Sequence, residues 1–93
     1  MITLPIKRKW FDLIKSGVKT EEYRELKPYY KSRFRVFDFD RLLAVKFRNG
    51  YARNSPSITC ICSLSKGYGK QEWGAPNEEC YILTINKIIK IEE

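Results

Sequence analysis

Eight residues, Gly17-Val18-Lys19-Thr20-Glu21-Glu22-Tyr23-Arg24, bring a glycine, a lysine, two glutamates and an arginine to one bend of the chain. The spacing is Gly-x-Lys-x-x-Glu-x-Arg. A lysine and an arginine so placed can engage a phosphate or the edge of a base. The intervening Glu22 can hold them in position, or accept a hydrogen bond from a base amino group. An exposed pair of this kind contributes little by itself. The weight rests on clustering: ten Lys and Arg side chains lie between residues 7 and 35, interleaved with Trp10, Tyr23, Tyr29, Tyr30 and Phe34. Cations neutralise phosphates and aromatic faces stack bases, which is what single-stranded nucleic acid requires. Lys19, Glu22, Arg24, Tyr29, Tyr30 and Arg33 are therefore the candidate ligand-contacting residues.

Familiar catalytic arrangements find little support. The chain has no histidine, so neither a Ser-His nor a Cys-His pair is available. A lysine base would have to be Lys19, and Glu22 three residues on would raise its pKa and weaken it as a base. Glu21 and Glu22 fall on opposite faces of a strand. Gly67-x-Gly69 lacks the third glycine of a phosphate loop. Cys60, Cys62 and Cys80 are too few for a zinc site without a carboxylate ligand. In a strand, residues 60 and 62 share a face, so they read as small apolar thiols in a barrel core. No metal and no cofactor is expected.

Charge is unevenly distributed. Residues 1–50 carry 13 Lys/Arg and 6 Asp/Glu, whereas residues 51–93 carry 5 of each, so the whole net charge of +7 sits in the first half. Such asymmetry points to a polyanionic partner. An odd cysteine count and a Lys-rich start without a signal peptide fit a reducing cytoplasm. No apolar run approaches the roughly 20 residues of a membrane span, and no membrane partner is expected. Ninety-three residues make one small domain, 1–93, with a modest core.

The elements that must position the charged bend follow from periodicity. Ile2–Ile6 reads as a strand with Pro5 at an edge. Residues 7–16 read as a helix with Trp10, Leu13 and Ile14 on one stripe, widened by Phe11. Gly17 stands where a left-handed cap residue is wanted. Residues 18–24 read as a strand that is polar on both faces, hence an edge or a cleft wall. Pro28 opens a second helix running to about Arg35. Val36 to Asp40 reads as a loop or short strand. Strands follow at 42–48, ending in the turn Asn49-Gly50, at 57–65 and at 79–91. Gly67–Gly69 reads as a flexible connection and Trp73–Pro76 as an irregular turn. The sum is an α+β fold, a small mixed β-barrel of five or six strands with two flanking helices.

The signature after an amphipathic helix resembles that of the ASCH domain, within the PUA-like superfamily. Leu4-Pro5-Ile6 with Trp10-Phe11 and Ile14, then Lys27-Pro28-Tyr29-Tyr30, resembles the start of its short bacterial and phage members. Phe47-Arg48-Asn49-Gly50-Tyr51 and Gly67-Tyr68-Gly69 with Glu72-Trp73-Gly74-Ala75 are similar to their second half. The resemblance implies a PUA-like barrel, an RNA-binding role, and a cleft between barrel and helix lined by Lys19, Glu22 and Arg24. It adds Arg48, Asn49 and Tyr51 as rim candidates. Some members are small amidohydrolases of acylated cytidine, using a lysine, a threonine three positions on and a distant glutamate. Here Glu22 occupies that third position, Thr20 is at the wrong offset, and 57–65 contains no acid. Others are ribonucleases. The expectation is thus a monomeric RNA-binding domain, or one for single-stranded nucleic acid or a nucleotide. The alternative is a small hydrolase of a modified nucleoside or of RNA, acting through Lys19 and Glu22.

Overall fold

Alternating apolar residues set the first strand, and the computed structural model, which describes residues 1–38 and 41–93, shows it as β1 (Ile2–Ile6). Ile2, Leu4 and Ile6 point inward and are buried. Pro5 faces out, which suits an edge strand because proline has no N–H to give to a neighbour. Helix α1 (Arg8–Lys15) follows and buries Phe11 and Ile14 against β3 (Leu43–Asn49) and β4 (Ser57–Gly67). Lys15 in its last turn complements the helix dipole.

Gly17, at φ +84°, turns the chain out of α1, a conformation that costs glycine little and other residues more. Its N–H bonds to the Ile14 carbonyl, and two residues later the Lys19 N–H bonds to the Leu13 carbonyl, both at 3.0 Å. The backbone of Lys19 is thereby pinned under the end of the helix. The strand expected over 18–24 begins only at Glu21, because residues up to Thr20 are occupied by this turn; β2 is Glu21–Glu25.

Pro28 stands at the start of α2 (Pro28–Arg33), as its fixed φ favours. This helix is shorter than expected. From Phe34 to Asp38 the chain tightens into a 3₁₀ turn, so the loop or short strand expected over 36–40 is corrected to a helical turn as far as Asp38. Phe39 and Asp40 lie outside the described residues. The reason is aromatic packing: Phe34 is buried, stacks on Tyr30 at 5.7 Å and meets Tyr81 edge-on at 5.1 Å. A second 3₁₀ turn, Gln71–Trp73, leads into the irregular turn expected over 73–76. The last strand, β5, is Cys80–Glu92.

The five strands form one sheet in the order β1-β3-β4-β5-β2. β1 and β3 are parallel; the other neighbours are antiparallel. Register shifts at Thr59/Cys60 and Ile61/Cys62 bend the long β4–β5 pair, as bulges do. The result is an α+β half-barrel with two helices. Its concave side holds the main core, in which Val45, Phe47, Ile58, Cys60, Cys62 and Leu83 are fully buried. Both thiols are core residues, and burial raises Cys60 to about 11 and Cys62 to about 12.

A half-barrel leaves two strand edges open, here β1 and β2. They are joined by side chains rather than by a backbone ladder. Arg24 of β2 donates from Nη2 to the Pro5 carbonyl, and Arg33 of α2 donates from Nη2 to the Thr3 carbonyl, each at 2.7 Å. No helix among the described residues is long and apolar enough to cross a membrane.

Candidate functional site

The bend after α1 drops Lys19 between the helix and β2, and its ammonium group is fully shielded from solvent. A buried charge must be paired to persist. Lys19 Nζ donates to Glu22 Oε1 at 2.9 Å and to the Trp73 carbonyl at 2.6 Å. It also lies 4.8 Å from the ring centroids of Trp10 and Tyr23, where the negative faces of the rings attract a cation. Burial lowers the Lys19 pKa, outweighing the Glu22 carboxylate, which raises it. The i, i+3 spacing of Lys19 and Glu22 predicts the reverse, because the neighbour's charge is visible in the sequence and the removal of the lysine from water is not.

Glu22 is itself buried and bridges two cations. Its other oxygen, Oε2, accepts from Arg24 Nη1 at 2.6 Å. Arg24 Nη1 also reaches the Tyr23 carbonyl, Nη2 takes the Pro5 carbonyl, and the guanidinium lies 5.9 Å from the Tyr30 ring centre. Lys19, Glu22 and Arg24 thus form one chain of charges, buried at Lys19 and Glu22 and half-buried at Arg24, running from α1 across β2 to the edge of β1. Tyr23 is held alongside: its hydroxyl donates to Glu21 at 2.7 Å and accepts from the Lys70 N–H at 3.1 Å. Desolvation raises its pKa.

This chain forms the floor of a cleft of about 350 Å³. Glu22 and Arg24 line it directly. Trp10, Tyr30, Tyr51 and Trp73 supply aromatic walls, and Lys7 stands at the mouth. The turn at Gly74 closes one side. Gly74 has φ +91°, and a Cβ there would come within 2.8 Å of the Trp10 ring. A side chain at this position would be strained and would press on the Trp10 ring, next to the Trp73 carbonyl that Lys19 uses.

Of the sequence candidates, Lys19, Glu22, Arg24, Tyr30 and Tyr51 come together at this cleft. The others lie elsewhere. Tyr29 projects into solvent and packs edge-on against Tyr30 at 5.0 Å. Arg33 is turned to the Thr3 carbonyl. Arg48 lines a separate hollow of about 180 Å³ with Lys46 and Arg53. Asn49, the last residue of β3, donates its N–H to the Pro56 carbonyl at 2.8 Å. Trp10 and Trp73 were absent from the candidates. Trp10 falls on the apolar stripe of α1 and reads as core, although its ring also faces Lys19. Trp73 acts through its carbonyl, which side-chain type does not reveal; the adjoining Gly74 is the available sequence signal.

The geometry suits a flat, polar ligand. Aromatic walls can hold a planar ring, while a carboxylate and a guanidinium on the floor can accept and donate hydrogen bonds. Among the described residues, no group of His, Cys, Asp and Glu side chains is arranged to hold a metal ion. No family model, curated protein or solved structure matches the chain.

Proposed function

We propose that the protein binds single-stranded nucleic acid, most readily RNA, and that the cleft receives one unpaired nucleotide. The observation that carries this reading is the joining of aromatic walls to a Glu22–Arg24 floor, braced from beneath by the buried Lys19, in one cleft that Lys7 also lines. A cleft of about 350 Å³ is at the small end of ligand sites; it accommodates a base with its sugar and excludes a duplex. The +7 charge supplies attraction to phosphate. The half-barrel with its signature beside the cleft also fits membership of the ASCH group, which is part of the same proposal.

The test is binding of a short single-stranded RNA across a salt series. Affinity should fall steeply with salt, and a flat response would overturn the reading. Tyr51 is 87% exposed at the cleft, so Tyr51→Ala should leave the melting temperature unchanged. It should weaken binding by about 1–3 kcal/mol, the contribution of one stacked base.

A second reading, hydrolysis of a modified nucleoside or of RNA, is favoured by one observation. Lys19 is a buried amine with a lowered pKa beside a carboxylate, a combination found at catalytic sites. Turnover of acylated cytidine or of RNA, lost in Lys19→Ala with the fold retained, would establish it. Absence of turnover on both substrates would remove it.

A further inference from the structure

A second basic surface adjoins the cleft across α2, and its cations come from parts of the chain far apart in sequence. Two hollows there share Lys31, Lys66 and Tyr81, so they form one continuous groove between α2 with its 3₁₀ extension and the end of β4. Lys27, Lys31 and Arg35 recur every four residues on the α2 side. Lys27 and Lys31 are therefore about 6 Å apart along the axis. Lys66 faces them from β4, 5.7 Å from the Tyr81 ring centre.

These side chains are exposed and free to meet a ligand. Lys27 has a partner, an exposed Glu25 at 3.3 Å. Among the described residues, no carboxylate lies within ion-pair distance of Lys31, Arg35 or Lys66, although Asp38 lines the same groove. The floor is apolar, built from Phe34, Leu64 and Tyr81. Exposed cations on both banks of an apolar floor, with Lys31, Arg35 and Lys66 lacking a carboxylate partner among the described residues, fit a flexible polyanion better than a small anion, which needs convergent donors at one point.

We propose that this groove carries the phosphate backbone of a single-stranded RNA whose unpaired base occupies the cleft. The proposal rests on the nucleic-acid reading given above and adds the path of the strand: over α2, past Tyr29 and Tyr30, and between Lys31 and Lys66. Affinity then comes from the groove, and selection of an unpaired base comes from the cleft.

The experiment compares the wild type with a triple variant, Lys31→Gln, Arg35→Gln and Lys66→Gln, which keeps most of each side chain's packing. The probes are a mixed-sequence single-stranded RNA of about 12 nucleotides and a dinucleotide, each across a salt series. The triple variant should bind the longer RNA at least about tenfold more weakly. Its log–log salt slope should be shallower by about 2, from roughly 0.7 for each of the lost phosphate contacts. Dinucleotide affinity should not change. Lys31→Gln and Lys66→Gln alone should each reduce the slope by about 0.7, which keeps the test decisive if the triple variant folds poorly.

Unchanged binding of the longer RNA by the triple variant, with Tyr51→Ala still weakening it, overturns the groove and leaves the cleft reading standing. The basic surface would then face another polyanion, such as an acidic protein. Failure of the wild type to bind either probe overturns both readings.

Discussion

The cleft and the groove share α2 as a wall, yet they hold their cations in opposite ways. In the cleft, Lys19 and Arg24 are consumed by internal partners: Glu22, three backbone carbonyls and aromatic faces. In the groove, Lys31, Arg35 and Lys66 stand exposed, with no carboxylate partner among the described residues. Charge alone therefore does not distinguish a cation that builds the fold from one left available at the surface; burial and pairing do. A buried, paired cation fixes shape and presents a defined hydrogen-bonding edge. An exposed, unpaired one is available for counterion exchange with a polyanion.

The largest break in this contrast should come from Glu22. Its carboxylate lies between Lys19 and Arg24, with both oxygens used. Glu22→Ala leaves a buried ammonium without its anion, and such losses cost about 3–5 kcal/mol. Urea unfolding should register that loss. Glu22→Gln should cost less, because the amide oxygen can still accept from Lys19. A loss in Glu22→Ala below about 1 kcal/mol would mean that the cleft charges behave like surface ions, and the contrast with the groove would fail.

Why the elements beneath this contrast are legible in the sequence, while the contrast itself is not, is a physical matter. Local periodicity located the strand Ile2–Ile6, the helix ending at Gly17 and the three later strands. Turn and cap chemistry depends on neighbours in sequence, so Gly17 and Pro28 were readable. The i, i+3 spacing of Lys19 and Glu22 suggested their pairing. Their burial was not readable, since it depends on Trp73, Gly74 and Trp10 arriving from both sides. The groove was equally hidden. Lys66 and Tyr81 lie far along the chain from Lys31, and they are neighbours through the register of β4 and β5, where Lys66 pairs with Tyr81. The shortening of the second helix into a 3₁₀ turn reflects Phe34 packing on Tyr81, a tertiary contact that outweighed propensity.

A smaller effect sharpens the comparison through pH. Burial holds the Lys19 pKa below its ordinary value of 10.5. The unfolded chain then keeps a proton on this lysine at pH values where the folded chain has released it. Stability from this group must therefore rise with pH between the lowered folded value and 10.5, and level off above it. Cys60 and Cys62 work in the opposite direction. Their folded values of about 11 and 12 lie above the ordinary 9.0, so stability is lost as pH climbs past 9.0. Lys19→Met isolates the lysine, since the thiols are common to both proteins. The stability of the wild type minus that of Lys19→Met should increase with pH inside the lysine window, by at most about 1.4 kcal/mol per unit. A flat difference would show that the ammonium keeps its ordinary affinity for protons, and hence that it is solvated.

The smallest effect should be on the groove side, and its smallness carries the argument. Lys31, Arg35 and Lys66 are exposed, and substitutions at such sites usually change stability by no more than about 0.5 kcal/mol. Replacing all three with glutamine should therefore leave the urea midpoint nearly unmoved. A slight gain is the expected direction, because the chain carries a net charge of +7 and like charges repel. A loss approaching that of Glu22→Ala would mean that these cations hold the fold together as the cleft cations do. A stable variant with a shallower salt dependence for RNA would separate the two roles: charges that hold the fold and shape the cleft on one side of α2, and charges left available to a polyanion on the other.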